Sequence, residues 1–276
     1  RDLHLSIRRQ RQMCIRDRLT PMVKNLLILN VALFLIGIVL KNINIEQYLA
    51  LRYFESPNFQ PVQLFTYMFV HANFWHLFGN MLSLFFFGPM LEAYWGAKRF
   101  LIYWVFCGIG GALAFSAAHY YEVKQLEHAR DLFNAEPSFE YLISFERQLG
   151  QNVFDLDFKE NLEENPDSIE LLMSAKAGIN EVLAIVIDAP VVGASGAVFG
   201  ILMAFGLLFP NTELMLLFFP MPIKAKYFVL IYGGFELFMG VARVPGDNIA
   251  HFAHLGGAFF GFILVKYWQK QRNTFY

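Results

Sequence analysis

The sequence predicts an all-α fold, a polytopic membrane bundle of six transmembrane helices with a helical soluble insertion between helices three and four. Two observations lead to this prediction. The 276 residues are 56% hydrophobic and only 16% charged, and their mean hydropathy is positive, a composition that excludes a soluble domain of this size. Six apolar runs also approach the roughly 20 residues that a helix needs to cross a hydrocarbon core about 30 Å thick.

The predicted spans follow one another from near the N-terminus to near the C-terminus, and the fifth is the shortest. They are Val23–Leu40, Trp75–Tyr94, Phe100–Ala118, Val191–Phe209, Tyr227–Val241 and Ile249–Tyr267. The chain therefore divides into an N-terminal tail (1–21), helices one to three (22–118), an insertion (119–189), helices four to six (190–268) and a C-terminal tail (269–276). Within the first tail, residues 1–18 resemble a translated sequencing adaptor as closely as a natural segment, and both interpretations stay open.

The insertion is acidic. Residues 119–189 hold fifteen of the twenty-three Asp and Glu residues and only five Lys or Arg, which predicts a solvated segment. Its charged and apolar residues alternate at rough helical spacing, and the pattern breaks near Pro137 and Pro166. We therefore expect two or more solvated helices.

Basic residues predict the orientation in the membrane. Lys and Arg cluster before span one, after span two, between spans four and five, and after span six. Alternating spans place all four clusters on one side, and such clusters favour the cytoplasm. We expect cytoplasmic termini and an external insertion, with Lys41, Arg52 and Arg243 as exceptions on the outer side.

Two loops are apolar enough to touch the membrane. Residues 41–70 carry scattered aromatic side chains, which suit either an interfacial segment or a simple connector. Residues 214–223 are apolar but contain Pro220 and Pro222, which remove helical donors. We expect this second segment to be a cytoplasmic-side loop that dips into the interface.

A serine and a histidine lie at matching predicted depths. Ser195 is about one turn inside span four, and His254 is about five residues inside span six. A lone polar residue in such a helix usually satisfies a neighbouring carbonyl, so the matched depth carries the prediction. Pro190 suits a helix start and Gly193 allows a tight turn, which places Ser195 near free helical amides that favour an anion.

Small residues predict that these two helices pack closely. Gly196 and Gly200 are four apart on span four, and Gly257 and Gly261 are four apart on span six. His254 shares the face of the second pair. We expect a serine nucleophile activated by a histidine base.

Donors for the resulting oxyanion are predicted on span two. His76 and Asn80 are four residues apart on one helical face near the same membrane surface. They could stabilise developing negative charge, or they could make hydrogen bonds between helices with no part in catalysis. The residues alone support the catalytic and the structural interpretation equally.

Together these motifs resemble the rhomboid intramembrane serine proteases. The matching segments are His71-x4-His76-x3-Asn80 on span two, Gly193-Ala194-Ser195-Gly196 on span four and Ala253-His254-x2-Gly257-x3-Gly261 on span six. The resemblance runs from about Leu19 to Trp268, apart from the insertion. Gly88-x3-Glu92 also resembles the loop-anchoring glutamate of the family, although Val62-Gln63 stands where many members have Trp-Arg.

The resemblance implies a Ser195 and His254 dyad without a catalytic aspartate. It implies an oxyanion hole from His76, Asn80 and the Ser195 amide, with Phe199, Gly193, Gly257 and Gly261 as supporting residues. Phe199 replaces the tyrosine that often packs under the imidazole. The implied substrates are transmembrane segments of other proteins within a lipid bilayer, in a bacterial cytoplasmic membrane, with no cofactor, metal or nucleic acid.

Other functions remain as alternatives. A non-catalytic rhomboid-like protein would bind membrane clients, but such proteins lose the serine or the histidine. A transporter would show paired charges at the midplane or an inverted repeat. A metalloprotease is disfavoured because no His-Glu-x-x-His is present and Asp247 is the one carboxylate that the sequence places near His251 and His254.

Two further polar residues have structural interpretations. We expect His251 to be solvent-facing or structural. Glu236 is an acid in an apolar span, where ionisable groups are often functional, but its nearness to the outer end favours snorkelling or a hydrogen bond to span two. Span five, which is bordered by Gly233, Gly234 and Gly240, is the expected gate for substrate entry.

Overall fold

The computed structural model describes residues 19–40, 44–216, 219–242 and 250–273, and the predicted all-α membrane bundle is confirmed. In chain order the elements are α1 Pro21–Val39, α2 Ile45–Leu49, α3 Gln63–Thr66, a 3-10 turn Tyr67–Phe69, α4 Phe74–Trp95, α5 Ala97–Ala135, α6 Phe139–Leu149, α7 Leu156–Glu164, α8 Ile169–Ile187, α9 Ser195–Leu208, β1 Glu213–Leu216, β2 Phe219–Lys224, α10 Ala225–Ala242 and α11 His251–Asn273. Six of these helices overlap the predicted spans.

Among the described residues, four helices are long and apolar enough to cross a membrane, namely α1, α4, α5 and α10. Helix α9 is apolar but has only 14 residues, and α11 begins with two histidines that lower its hydropathy. The bundle centre is formed where α5, α9 and α11 pack together. Tyr103 and Cys107 of α5 are fully buried there, and the Tyr103 hydroxyl donates to the Gly200 carbonyl at 2.7 Å.

Helix α5 continues beyond the predicted third span, because it runs from Ala97 to Ala135 as one 39-residue helix. Residues 119–135 contain neither glycine nor proline, and a Lys124–Glu127 ion pair of 2.7 Å supports the helix from its own surface. The helix ends just before Pro137. The apolar third span and the acidic insertion are therefore mechanically continuous.

The insertion has a hydrophobic core of its own. The C-terminal half of α5 packs with α6, α7 and α8, and the buried side chains at this centre include Leu126, Phe133, Leu142, Phe145, Leu162, Ala175 and Ile179. Ser138 and Ser168 cap the starts of α6 and α8 by accepting from backbone N–H groups. Two of the three helical breaks lie at Pro137 and Pro166, where the sequence pattern placed them, and the third lies at residues 150–155.

Glu92 caps α1 and does not anchor the loop before α4. Its carboxylate accepts from the Thr20 hydroxyl at 2.5 Å and from the amides of Met22 and Val23 at 3.0 and 2.9 Å. The acid is buried, and the positive end of the α1 dipole offsets part of the cost of burying its charge. The loop-anchoring role implied by the resemblance is therefore wrong for this residue.

The predicted loop at 214–223 is a β-hairpin. Strands β1 and β2 pair antiparallel, with Glu213 opposite Lys224 and Leu214 opposite Ile223. The two prolines lie in β2, and a two-stranded ribbon tolerates them because both of its strands are edges. The proline pattern correctly excluded a helix but could not reveal the pairing.

Candidate active site

A folded loop, not an open connector, borders the site. Gln63 is fully buried, and its Oε1 accepts from the backbone N–H groups of Arg52 and Gln60 at 3.3 and 3.2 Å. Its amide nitrogen donates to the carbonyls of Tyr48 and Asn58 at 3.4 and 3.0 Å. A neutral glutamine thus fixes four points of the loop from inside, which an arginine could not do because it has no acceptor.

The same loop holds the chain that leads into α9. Arg52 forms an ion pair of 2.8 Å with Asp188, and Ser56 and Asn58 donate to the same carboxylate. Two backbone hydrogen bonds of 2.9 and 2.8 Å join Leu51 to Val191. Arg52, an exception to the basic pattern, therefore has a local partner.

Helix α9 begins at Ser195, four residues later than the predicted span. Val191 is held in the bridge to Leu51, and Gly193 has a φ of +122°, which a helix cannot contain. The Gly193 N–H donates to the Tyr67 carbonyl at 3.0 Å. Pro190 is therefore not at the helix start, and the turn places Ser195 in the first position of α9, where backbone amides lack helical partners.

His76 packs directly on this turn. A Cβ built on Gly193 would lie 2.5 Å from the His76 Nε2, so the imidazole occupies the space that a side chain would need. The His71 Nε2 accepts from the Ala194 N–H at 3.4 Å, and the two imidazoles meet edge to face with centroids 5.2 Å apart. Two histidines therefore brace the backbone immediately before Ser195.

Asn80 lies one turn after His76 on α4 and is buried. Its side-chain nitrogen donates to the His76 carbonyl at 3.0 Å. In this arrangement the amide bonds to its own helix, while its second N–H stays available. The structure places His76 at the turn that precedes Ser195, and the oxyanion role of Asn80 stays a prediction.

The glycine stripes pack α9 against α11 at backbone contact. A Cβ built on Gly257 would collide with the Gly196 carbonyl, and one built on Gly196 would lie 3.3 Å from the Ala253 carbonyl. Gly261 faces Gly200 in the same way, because a Cβ built on Gly261 would lie 3.1 Å from the Gly200 Cα. Neither helix could approach so closely with larger residues at these positions.

This close packing lays the His254 imidazole on α9. The rings of His254 and Phe199 are stacked, with centroids 4.3 Å apart and planes inclined by 6°. Phe199 is four residues after Ser195 and shares its helix face. The stack therefore brings the imidazole to the face of α9 that begins with Ser195, and Tyr232 of α10 packs on Phe199 with centroids 4.9 Å apart.

Glu236 is the site residue that the sequence analysis misplaced. It neither snorkels nor bonds to span two, because it is buried and its Oε2 lies 2.7 Å from the His251 Nδ1 and 2.8 Å from the His254 Nδ1. His251 is likewise buried, so the solvent-facing alternative for it is wrong. An acid in an apolar span was the available signal, but sequence spacing cannot give the rotation of α10 relative to α11.

The same three residues are a possible metal-binding group among the described residues. Each of Glu236, His251 and His254 offers one ligand atom, and these atoms lie within 4.8 Å of one another. Two imidazoles and a carboxylate are a donor set that zinc accepts. Asp247, the carboxylate that the sequence analysis placed near the histidine pair, lies outside the described residues; Glu236 fills that position.

Comparison with known proteins gives a family match. The family model described as Rhomboid domain matches residues 58–124 and 168–270. The matched segments contain His76, Asn80, Ser195, Glu236 and His254, and they leave out α1, the loop before residue 58, and residues 125–167 of the insertion. Comparison with curated proteins gave no match.

Proposed function

Because this chain belongs to the rhomboid family and is an integral membrane protein, we propose that it is an intramembrane serine endopeptidase. Its substrates are transmembrane segments of other membrane proteins. The stack of His254 on Phe199 carries the proposal, because it sets an imidazole against the helix face that Ser195 begins. Ser195 is the nucleophile, and His254 is the general base and acid.

The chemistry needs no group besides these side chains and water. His254 takes the hydroxyl proton as the Ser195 Oγ bonds to the substrate carbonyl carbon. The oxyanion collapses, the C–N bond breaks, and His254 returns the proton to the departing amine. Water then attacks the acyl-enzyme with His254 again as base, which releases the acid and restores the serine.

Donors for the oxyanion come from the turn at Gly193 and from α4. The amide of Ser195 is unpaired within its helix, and His76 packs on Gly193 two residues earlier. Asn80 can add its second N–H. Each such donor accelerates the step only if it is held in place before the charge develops, and the braces from His71 and Tyr67 supply that rigidity.

The position of the site sets the rest of the proposal. Both termini are cytoplasmic, the insertion is external, and cleavage occurs near the outer surface of a bacterial cytoplasmic membrane. Water enters from the external side above Ser195, and substrates enter laterally past α10. That helix suits a gate because Ala225 and Glu236 are its only described buried residues.

A fluorophosphonate probe, which phosphonylates activated serines, tests the proposal. Wild-type protein in liposomes should label and should cleave a single-span substrate. Ser195→Ala should do neither, while its melting temperature stays near the wild-type value. Ser83→Ala is the matched control, because Ser83 lies in α4 and its hydroxyl bonds only to the Gly79 carbonyl one turn earlier; it should label normally.

Two results would contradict the proposal. Labelling and cleavage that persist in Ser195→Ala would assign the nucleophile to another residue. A folded wild-type protein that binds single-span clients, yet neither labels nor cleaves, would instead be a non-catalytic member of the family.

A further inference from the structure

A buried carboxylate joins the gate helix to the proposed base. Glu236 is 3% exposed, although the residues around it on α10, such as Phe235 and Leu237, are more than half exposed. A charge placed in such an environment is costly unless it is paired. Glu236 has two partners on α11, and both bond to its Oε2.

The chemistry of these contacts fixes where the protons lie. A carboxylate can only accept hydrogen bonds, so the Nδ1 atoms of His251 and His254 both carry hydrogen and donate to Oε2. In the neutral imidazole of His254, the Nε2 then holds the free lone pair. That nitrogen is the one left to accept the proton of Ser195.

Two contacts together fix the orientation of the His254 ring. The stack on Phe199 defines the plane of the imidazole but lets it turn within that plane. The 2.8 Å bond to Glu236 stops this rotation. Since Nδ1 and Nε2 point in different directions within the plane of the ring, holding Nδ1 towards α10 directs Nε2 away from that helix.

We propose that Glu236 is a positioning residue that orients His254 and makes the dyad a Ser195, His254 and Glu236 triad. This inference rests on the proposed function. His251 shares the carboxylate oxygen and keeps Glu236 in place. The third member comes from the helix that substrates pass, so the triad is complete only while α10 lies against α11.

Contact lengths favour hydrogen bonding over a metal ion between these groups. Nitrogen and oxygen ligands of a tetrahedral zinc, each about 2.0 to 2.1 Å from the ion, lie about 3.3 Å from one another. The two observed separations are 2.7 and 2.8 Å, which are charge-assisted N–H···O distances. The carboxylate therefore bonds directly to both imidazoles.

Few other titratable groups face the triad among the described residues. Tyr232 lies one turn before Glu236 on α10, and His76 of α4 is near enough to interact with His254. Helices α5 and α9 contribute Gly111, Gly196 and Phe199 there. Glu236 is thus the anionic partner of His254 in this part of the chain.

Glu236→Gln in the full-length protein tests the inference. A glutamine keeps the shape, but its amide can donate to Nδ1 and so place the ring proton on Nε2. We expect the kcat/KM for cleavage and the rate of fluorophosphonate labelling to fall about 100-fold or more. Glu236→Asp should restore part of the rate. Glu213→Gln, at an exposed acid of β1, is the matched control and should behave as wild type.

The split between kcat and KM separates positioning from a structural role. A residue that only orients His254 acts on the chemical step, so Glu236→Gln should lower kcat about 100-fold while KM stays near the wild-type value. A merely structural defect would instead raise KM or lower the melting temperature. If Glu236→Ala does not fold, the glutamine and aspartate variants still test the positioning role of Glu236.

Specific outcomes would overturn the inference. A folded Glu236→Gln protein with the wild-type kcat removes Glu236 from the mechanism, while Ser195-dependent labelling would leave the proposed function intact. Loss of wild-type labelling on treatment with EDTA would make Glu236 a metal ligand instead. Absence of labelling in wild type itself would defeat the proposed function and not this inference alone.

Discussion

Gly193 meets two requirements that no other residue satisfies together. Its φ of +122° is strained for any side chain, and the His76 imidazole fills the space beside its Cα. Gly193→Ala would push His76 from the turn and distort the amides before Ser195. We expect kcat for substrate cleavage to fall about 100-fold, with a stability loss of about 1 to 3 kcal/mol from backbone strain.

A second glycine isolates the effect of strain. Gly150, at the end of α6, also has a positive φ of +75°, but nothing lies within 4 Å of a Cβ built on it. Gly150→Ala should therefore lose some stability in a thermal melt and retain full kcat. Equal kcat values for the two variants would mean that the His76 contact has no part in turnover.

The sequence predicts site residues where the chemistry demands a particular type of side chain. It shows the spacing of Ser195, Gly193 and His76 directly. It does not show the partner of Glu236, because the choice between α4 and α11 depends on how α10 is rotated about its axis. The spacing of residues along an apolar helix does not show how that helix is rotated.

Packing between α9 and α11 depends on Gly257. A methyl group there would meet the Gly196 carbonyl, which is backbone and cannot rotate away. In Gly257→Ala the two helices must separate, which draws His254 away from Phe199. We expect unfolding in denaturant to show a stability loss of about 1 to 3 kcal/mol. We also expect fluorophosphonate labelling to be almost completely lost.

Gly79→Ala is the matched control for this helix packing. Gly79 lies in α4, and a Cβ built on it meets no atom within 4 Å. This variant should label at the wild-type rate. Were Gly257→Ala also to label at that rate, the close approach of α9 and α11 would not be what presents His254 to Ser195.

Element boundaries show why periodicity alone could not place Ser195 at a helix terminus. Apolar residues run without interruption from Val191 to Phe209, so a span of 19 residues was the natural prediction. The first four are instead outside the helix, because Val191 pairs with the distant Leu51 and Gly193 adopts a positive φ. Periodicity does not predict the hairpin of β1 and β2 for the same reason, since pairing between strands is a non-local interaction.

Across the whole molecule, Asp188 connects the insertion to the loop before α4. Burial alone raises the pKa of its carboxyl, but hydrogen bonds from Ser56 and Asn58 and the charge of Arg52 outweigh burial and hold the pKa below its ordinary value. Because the pKa is lower in the folded state, the carboxylate stabilises the fold at pH values above the pKa of about 3.9 that it has in the unfolded chain. That stabilisation is lost as the pH falls through the pKa of the folded state.

Thermal melts at several pH values check this junction. Asp188→Asn should melt at a lower temperature than wild type at pH 7, and the difference should shrink as the pH falls below about 4. Asp167→Asn is the control, because Asp167 is exposed in the turn before α8; its melting temperature should match wild type throughout. A constant difference for Asp188→Asn across the pH range would contradict the assigned role of its charge.

The overall architecture was the most predictable level, for a physical reason. Membrane spans are set by local apolar length, and the acidic composition of residues 119–189 requires water around them. What composition could not supply was the continuity of α5 across that change of environment. Residues 119–135 contain no glycine or proline that would break the helix, so the end of the apolar run does not mark the end of α5.

One consequence of the 39-residue α5 concerns how the two cores respond to each other. At about 1.5 Å per residue the helix is about 58 Å long, nearly twice the thickness of the hydrocarbon layer. Gly111 near its middle touches the backbone of α11 beside His254, and Phe133 near its end is buried in the insertion. One continuous helix therefore joins the two cores. We expect a macromolecule that binds the insertion and tilts it to shift the α11 backbone beside His254 as well.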